Sequence, residues 1–247
     1  MIKAIFCDWN KTVFEDEYDY VFFNGYAKRE AARCLRVLNL LKFFSVIDAK
    51  SRCEKILCEH GIRDDRRNDD IERIVHILNE RVIQGTPARL LERYTDRYAE
   101  DGVQRLDGRI LDPLRAVRIS KGIVLGLISS GYSGGIHRIL RNAGYTFDFI
   151  RANDFEIRSR RVVEFKLDVF NNKDEILAKF LAEQGIKDSD VVYIGDDGQD
   201  ECCLRMVGYP VVSFMACEEY KERFHKEFQA FVPKDREDFA NYIYDLV

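Results

Sequence analysis

Three short apolar runs in this chain each end on polar residues whose types can do chemistry together. Residues 2–7 lead into Asp8 and Asn10, residues 123–128 into Ser129, Ser130 and Gly131, and residues 191–194 into Gly195, Asp196 and Asp200. If the runs are neighbouring parallel strands, these polar groups converge at the carboxyl ends, where open α/β sheets bind ligands. Two facing acidic loops repel unless a cation separates them. An all-oxygen donor set with open positions suits Mg²⁺, which keeps waters and accepts phosphate oxygens. The Ser129 hydroxyl and the amides of the glycine-rich turn behind it supply donors for phosphate, and Lys173, opening a helix, supplies a point charge. Such a set performs phosphoryl transfer and needs no Ser-His-Asp or Cys-His arrangement.

The elements that would position these residues can be read from periodicity. Each run is short and bounded by polar residues, as buried strands of a parallel sheet are. Between residues 19 and 101 the spacing becomes helical, with four segments: about 20–44, 46–60 closed by Gly61, 71–84 entered through Asn68-Asp69-Asp70 and closed by Gly85, and 86–102. Thr86-Pro87 offers a cap and a first-turn proline to the last of them. No strand-like run interrupts the four. Afterwards helix and strand alternate: helices at 107–120, 136–143, 173–184, 218–229 and from Arg236, strands at 147–150, 191–194 and from Val211, and a hairpin at 155–165 around Arg158-Ser159-Arg160-Arg161. The pattern predicts an α/β, Rossmann-like parallel sheet with right-handed crossovers, interrupted by a helical insert. The core is expected at 1–16 and 104–247, the insert at 17–103.

Charge and cysteine usage narrow the setting. Of 247 residues, 39 are Lys or Arg and 43 are Asp or Glu, a net charge of −4. This balance offers no chain-wide footprint for a nucleic acid or an anionic membrane, so any basic site must be local. The seven cysteines form no Cys-x-x-Cys pair, and four histidines do not complete a zinc site; buried, reduced thiols and a cytoplasmic location are expected. The loop Arg63-Asp64-Asp65-Arg66-Arg67 and the basic hairpin tip read as solvated. No run approaches the length of a membrane span, and the N-terminus lacks a signal-peptide pattern.

Asp8-Trp9-Asn10-Lys11-Thr12, Ser129, Lys173-Asp174-Glu175-Ile176-Leu177 and Gly195-Asp196-Asp197-Gly198-Gln199-Asp200 resemble, in order, the four motifs of the haloacid dehalogenase superfamily. Ser129-Ser130-Gly131-Tyr132 and Ala152-Asn153-Asp154-Phe155-Glu156-Ile157 resemble its phosphoserine-phosphatase-like subgroup, in which a four-helix cap is inserted after the first motif. The resemblance implies a phosphatase acting on a small phosphorylated metabolite. It makes Asp8 the nucleophile that forms an aspartyl-phosphate, with Asp8, the Asn10 carbonyl and Asp196 holding Mg²⁺. Asp200 then orders the metal's waters or Lys173, while Thr12, Ser129, Ser130, Gly131 and Lys173 engage the phosphate. Lys166 is the rival for the lysine role.

Asn10 departs from the family, which has an acid/base Asp there. An amide cannot exchange a proton at neutral pH, and general acid–base help is worth about 10²–10⁴ in rate. Two further readings therefore stand beside the phosphatase: a phosphate-ligand binding or regulatory protein, and a phosphonate hydrolase using a cap lysine among Lys28, Lys42, Lys50 and Lys55 as a Schiff base. Lys11 is a second departure, and it either reaches an anionic substrate or faces solvent.

Overall fold

The computed structural model describes residues 1–15, 18–36, 39–60 and 67–247. The expected 16/17 boundary, the Gly61 break and most of the charged 63–67 loop lie outside them. The chain's contacts divide it into two compact units, one of Met1–Tyr18, Tyr98–Asn153 and Leu167–Val247, the other of Asp19–Arg97 and Asp154–Lys166.

In the first unit, β1 (Ala4–Cys7) is buried throughout and lies between β2 (Val124–Tyr132) and β5 (Val191–Gly195), both parallel to it. β3 (Phe149–Arg158) pairs parallel with β2, and β6 (Tyr209–Val212) parallel with β5. With β4 (Arg161–Lys166), antiparallel to the outer half of β3, the six-stranded order is β4-β3-β2-β1-β5-β6. This is the mixed, mostly parallel sheet expected of strands alternating with helices. Cys7 stands opposite Leu127 on one side and Ile194 on the other, so the residues following all three strands emerge at one end of the sheet.

The helices that cross between strands start and stop where local chemistry allows. α5 (Gly108–Lys121) begins at Asp107, whose carboxylate accepts from the Arg109 amide at 3.1 Å; an acceptor there satisfies an otherwise orphaned donor. α6 (Ser133–Ala143) and α7 (Lys173–Gln184) end on Gly144 and Gly185 in the left-handed conformation. α8 (Glu201–Met206), α9 (Glu218–Phe228) and α10 (Arg236–Leu246) complete the unit. Phe6, Ile128, Leu177, Tyr193, Leu204 and Phe224 meet in its core. Gly126 is required there, because a Cβ would sit 2.1 Å from the Phe6 ring.

The second unit holds α1 (Tyr18–Arg36, from its second residue), α2 (Leu40–His60), α3 (Arg67–Leu78) and α4 (Ala88–Gly102, to Arg97). A π-helical turn, Asn79–Ile83, follows α3. The spacing predicts one helix from about 20 to 44, whereas α1 and α2 are separate. Asn39 precedes α2, and its side chain accepts from the Lys42 amide at 3.1 Å, which caps the new helix and competes with continuation of the pattern.

The hairpin of β3 and β4 belongs to this unit, which is therefore not purely helical. Asn79 holds it from the helical side, donating to the Phe165 carbonyl at 3.0 Å and accepting from the Phe165 amide at 2.7 Å. Its turn uses Ser159 and Arg160 at φ 49° and 62°. Phe22, Phe23, Tyr94, Phe155 and Phe165 form an aromatic cluster, with the Tyr94 hydroxyl donating to the Phe22 carbonyl at 3.0 Å.

Candidate active site

Asp8 follows β1 directly, and its amide donates to the Ile194 carbonyl at 2.9 Å, so pairing with β5 continues to the first site residue. The loop then turns tightly. The amides of Val13 and Phe14 converge on the Trp9 carbonyl at 3.1 and 3.0 Å, and the buried Trp9 ring stacks on Phe14 at 5.0 Å. Lys11 takes a left-handed conformation, φ 47°, where glycine is more at ease. Its carbonyl accepts from the Ser213 hydroxyl at 2.5 Å, which ties the loop to the end of β6.

Lys173, the first residue of α7, is buried. Its Nζ lies 2.9 Å from Asp8 Oδ1 and donates to Asp200 Oδ1 at 2.7 Å. Asp200 takes two further donors: Oδ1 also accepts from the Tyr193 hydroxyl at 2.8 Å, and Oδ2 accepts from the Asp196 amide at 3.0 Å. Gly195 permits this closure, since a Cβ there would come within 2.4 Å of the Asp200 side chain. Carboxylate oxygens of Asp8, Asp196 and Asp200 all lie within 4.8 Å of one another.

Burial dominates the electrostatics. It pushes the Asp8 carboxyl from 3.8 up to about 7, against the pull of Lys173 and with a further push from Asp200. Burial, then Asp197, Asp8 and Asp200, raise Asp196 well above the ordinary carboxylate range. Burial alone would lower the Lys173 ammonium, but Asp200, Asp8 and Asp197 around it hold it well above its usual value. One lysine thus faces three buried carboxylates, an excess of negative charge that a divalent cation relieves. The donor set is all oxygen and small, which fits a hard cation rather than zinc or another sulfur-seeking metal.

Of the residues singled out in the sequence, Asp8, Lys173, Asp196 and Asp200 meet. Ser129 is buried within β2, which runs on to Tyr132 where the apolar pattern predicts a turn after residue 128; the Ser129 hydroxyl accepts from the Gly131 amide at 3.0 Å, and an irregularity in pairing between Ser129 and Tyr132 takes the place of the turn. Thr12 is buried, and its hydroxyl has no hydrogen-bond partner among the described residues. Asn10 is half-buried in the loop after Asp8. Lys166 lies in the second unit instead, paired with Glu156 at 2.5 Å.

Three positioning side chains escaped the sequence reading. Buried Asn153 donates to the Ser130 carbonyl at 2.5 Å and accepts from the Val169 amide at 2.8 Å, bracing the irregular last part of β2. Tyr193 read simply as a strand's core residue, because nothing local marks its hydroxyl as facing Asp200. Ser213 did carry a signal, the same switch from apolar run to polar residue that marks Ser129.

Comparison with known proteins agrees with this geometry. Residues 5–205 match the family of haloacid dehalogenase-like hydrolases. A phosphoserine phosphatase of Streptococcus thermophilus is 28% identical over 136 residues, which span 53% of this chain and 59% of that protein. A substrate-bound phosphoserine phosphatase complex superposes with a TM-score of 0.62 at 18% identity, covering 98% of both chains. Cytosolic 5'-nucleotidase IIIB bound to cytidine gives 0.64 at 13% identity over 99% of this chain and 86% of that one. The two solved structures share the fold. Because the family match covers most of the chain, including Asp8, Ser129, Lys173, Asp196 and Asp200, this protein belongs to the haloacid dehalogenase-like hydrolases.

Proposed function

We propose that the protein is a Mg²⁺-dependent phosphatase of the phosphoserine-phosphatase type, hydrolysing a small phosphorylated metabolite through an aspartyl-phosphate on Asp8. The observation that carries this reading is the contact of one buried lysine with two carboxylates, Asp8 at 2.9 Å and Asp200 at 2.7 Å, at the carboxyl end of the sheet. In this reading 17–103 acts as the substrate-selecting cap on a core of 1–16 and 104–247.

Asp8 attacks phosphorus, the ester P–O bond breaks, and the electron pair leaves on the alcohol oxygen. Water then attacks the same phosphorus, the P–O bond to Asp8 breaks, and the carboxylate returns as orthophosphate departs. Asp8, Asp196, Asp200 and the Asn10 carbonyl would hold Mg²⁺, which supplies positive charge to the phosphate oxygens. Lys173 keeps Asp8 oriented and offsets charge on the transferring group. Ser129, Ser130, Gly131 and Thr12 bind the phosphate oxygens, and the unpartnered Thr12 hydroxyl is free to do so. Asn10 cannot protonate the leaving oxygen, so solvent must, and substrates with good leaving groups turn over faster than alkyl phosphates.

An aryl phosphate assayed with Mg²⁺ is the direct test. Release by the wild type that disappears in Asp8→Asn supports the reading; no release by the wild type overturns it. Asn10 itself favours a second reading, a phosphate-binding or regulatory protein with little turnover. Under the phosphatase reading Asn10→Asp raises alkyl phosphate hydrolysis by roughly 10²-fold or more. A variant that binds phosphate but gains no rate favours the regulatory reading.

A further inference from the structure

The net charge of −4 conceals a local excess of the opposite sign. Helices α1 and α2 together contain eight Lys and Arg against five acids, Asp19, Glu30, Asp48, Glu54 and Glu59, a surplus of three positive charges. Three of these acids are engaged by neighbours on their own helix: Glu30 by Arg33 at 2.5 Å, Asp48 by Arg52 at 2.9 Å and Glu54 by Lys50 at 3.2 Å. The surplus includes Lys28 and Arg36, both exposed on α1.

The same two helices present apolar side chains that the fold does not use. α2 buries Val46, Ala49, Cys53 and Ile56. At 3.6 residues per turn, Leu40, Phe44 and Ile47 fall on the opposite side of the helix. They are exposed, Phe44 at 63%, and neighbouring Leu41 reaches 88%. Leu35 at the end of α1 is exposed as well. A helix apolar on two opposite faces has one face committed to its own unit and one available to something else. At the edge of the exposed face a cleft is lined by buried Ala27, Ala31 and Val46, by exposed Ile47, and by Lys28 and Lys50.

We propose that this face is a peripheral docking surface for an anionic phospholipid bilayer. Leu40, Leu41 and Phe44 enter the boundary between headgroups and acyl chains, and Lys28 and Arg36 lie against the headgroups. A side chain as exposed as Leu41 is buried best by a medium that closes around it, and the cation surplus selects an anionic medium. No helix among the described residues is long and apolar enough to cross a membrane, so the association is interfacial and reversible.

Flotation of the full chain with phosphatidylcholine vesicles, with and without phosphatidylserine, tests this. The protein should float only with the phosphatidylserine vesicles and be released by salt. Lys28→Gln combined with Arg36→Gln should weaken partitioning roughly 25-fold, at about fivefold per charge. Leu41→Ser combined with Phe44→Ser should abolish flotation while lowering the thermal midpoint only slightly, since both side chains are exposed and Phe44 gives up one ring contact, with Phe43 at 5.5 Å. The proposal is overturned by no flotation, by equal flotation with neutral vesicles, by unchanged partitioning of the Lys28→Gln and Arg36→Gln variant, or by flotation that survives Leu41→Ser with Phe44→Ser. It is equally overturned by a concentration-dependent dimer that Leu41→Ser with Phe44→Ser dissolves, because a second copy of the chain would then cover the face.

Discussion

Two carboxylates of the first unit each meet a cation and a donor network, and their acidities move in opposite directions. Asp8, at the carboxyl end of β1, is buried, and burial outweighs Lys173 to raise its carboxyl to about 7. Asp148, just before β3, receives Arg118 through Nε at 2.8 Å and Nη2 at 2.5 Å, and also accepts from the Leu125 amide at 2.9 Å. Its side chain keeps 35% of its exposure, and the Arg118 hydrogen bonds hold it below the ordinary carboxylate range. The ion pairs look alike, but solvent decides what each is for. Where water remains, the pair fastens a strand to a helix at little cost; where water is excluded, charge stays under stress and is available for chemistry.

Removing the cation from each cluster should separate them most sharply. Lys173→Met leaves buried carboxylates without a counter-charge and should cost about 3–5 kcal/mol in urea unfolding of the metal-free protein. A loss below about 1 kcal/mol would mean that the cluster is not under the stress inferred for it.

The pH dependence of stability should carry opposite signs. Asp8 holds its proton more tightly folded than unfolded, so its contribution to stability is complete below 3.8 and is lost as pH rises towards about 7. Mg²⁺ competes with that proton, and the thermal shift on adding Mg²⁺ should therefore be larger above about 7 than below it. An equal shift on both sides would show that Asp8 does not take part in metal binding. For Asp148 the folded form favours the ionised carboxylate, so its contribution is present above the unfolded value and fades as pH falls.

Tyr193→Phe removes one donor from Asp200 and leaves the core shape intact. It should cost about 1.5–3 kcal/mol, because the acceptor is charged and buried. Under the proposed chemistry it should also lower kcat on an aryl phosphate with little change in KM, since Asp200 would hold Lys173 less firmly. Asp148→Ala should cost only about 1 kcal/mol, the worth of a half-solvated pair and one strand amide. If Asp148→Ala proves more damaging than Tyr193→Phe, the contrast between the two clusters fails.

Much of the fold was legible where a local rule decides. α7 runs Lys173–Gln184, as expected from its spacing, because Gly185 can adopt the left-handed stop. β1 and β5 were visible as apolar runs, and the polar residues after them mark the end of the sheet at which Asp8 and Asp196 lie. Less legible was the division between α1 and α2, where a single asparagine side chain captures an amide inside an otherwise helical pattern. The continuity of β3 from Phe149 to Arg158 also escaped, because Asn153 and Asp154 interrupt its apolar pattern while their backbones still pair across the sheet.

The sequence by itself determined which residue types end each strand, the order of the motifs and a charge balance near neutral. It could do so because periodicity, capping and composition act over a few residues. Only the tertiary structure decided that Lys173 reaches Asp8 and Asp200, that the Tyr193 hydroxyl faces Asp200, and that Ser213 holds the Lys11 carbonyl across 202 positions of chain. It likewise decided that Leu41 and Phe44 stay in water while Val46 and Ala49 do not. Burial and long-range contact depend on which elements pack together, and the free energy of a buried charge is set by everything that has displaced its water.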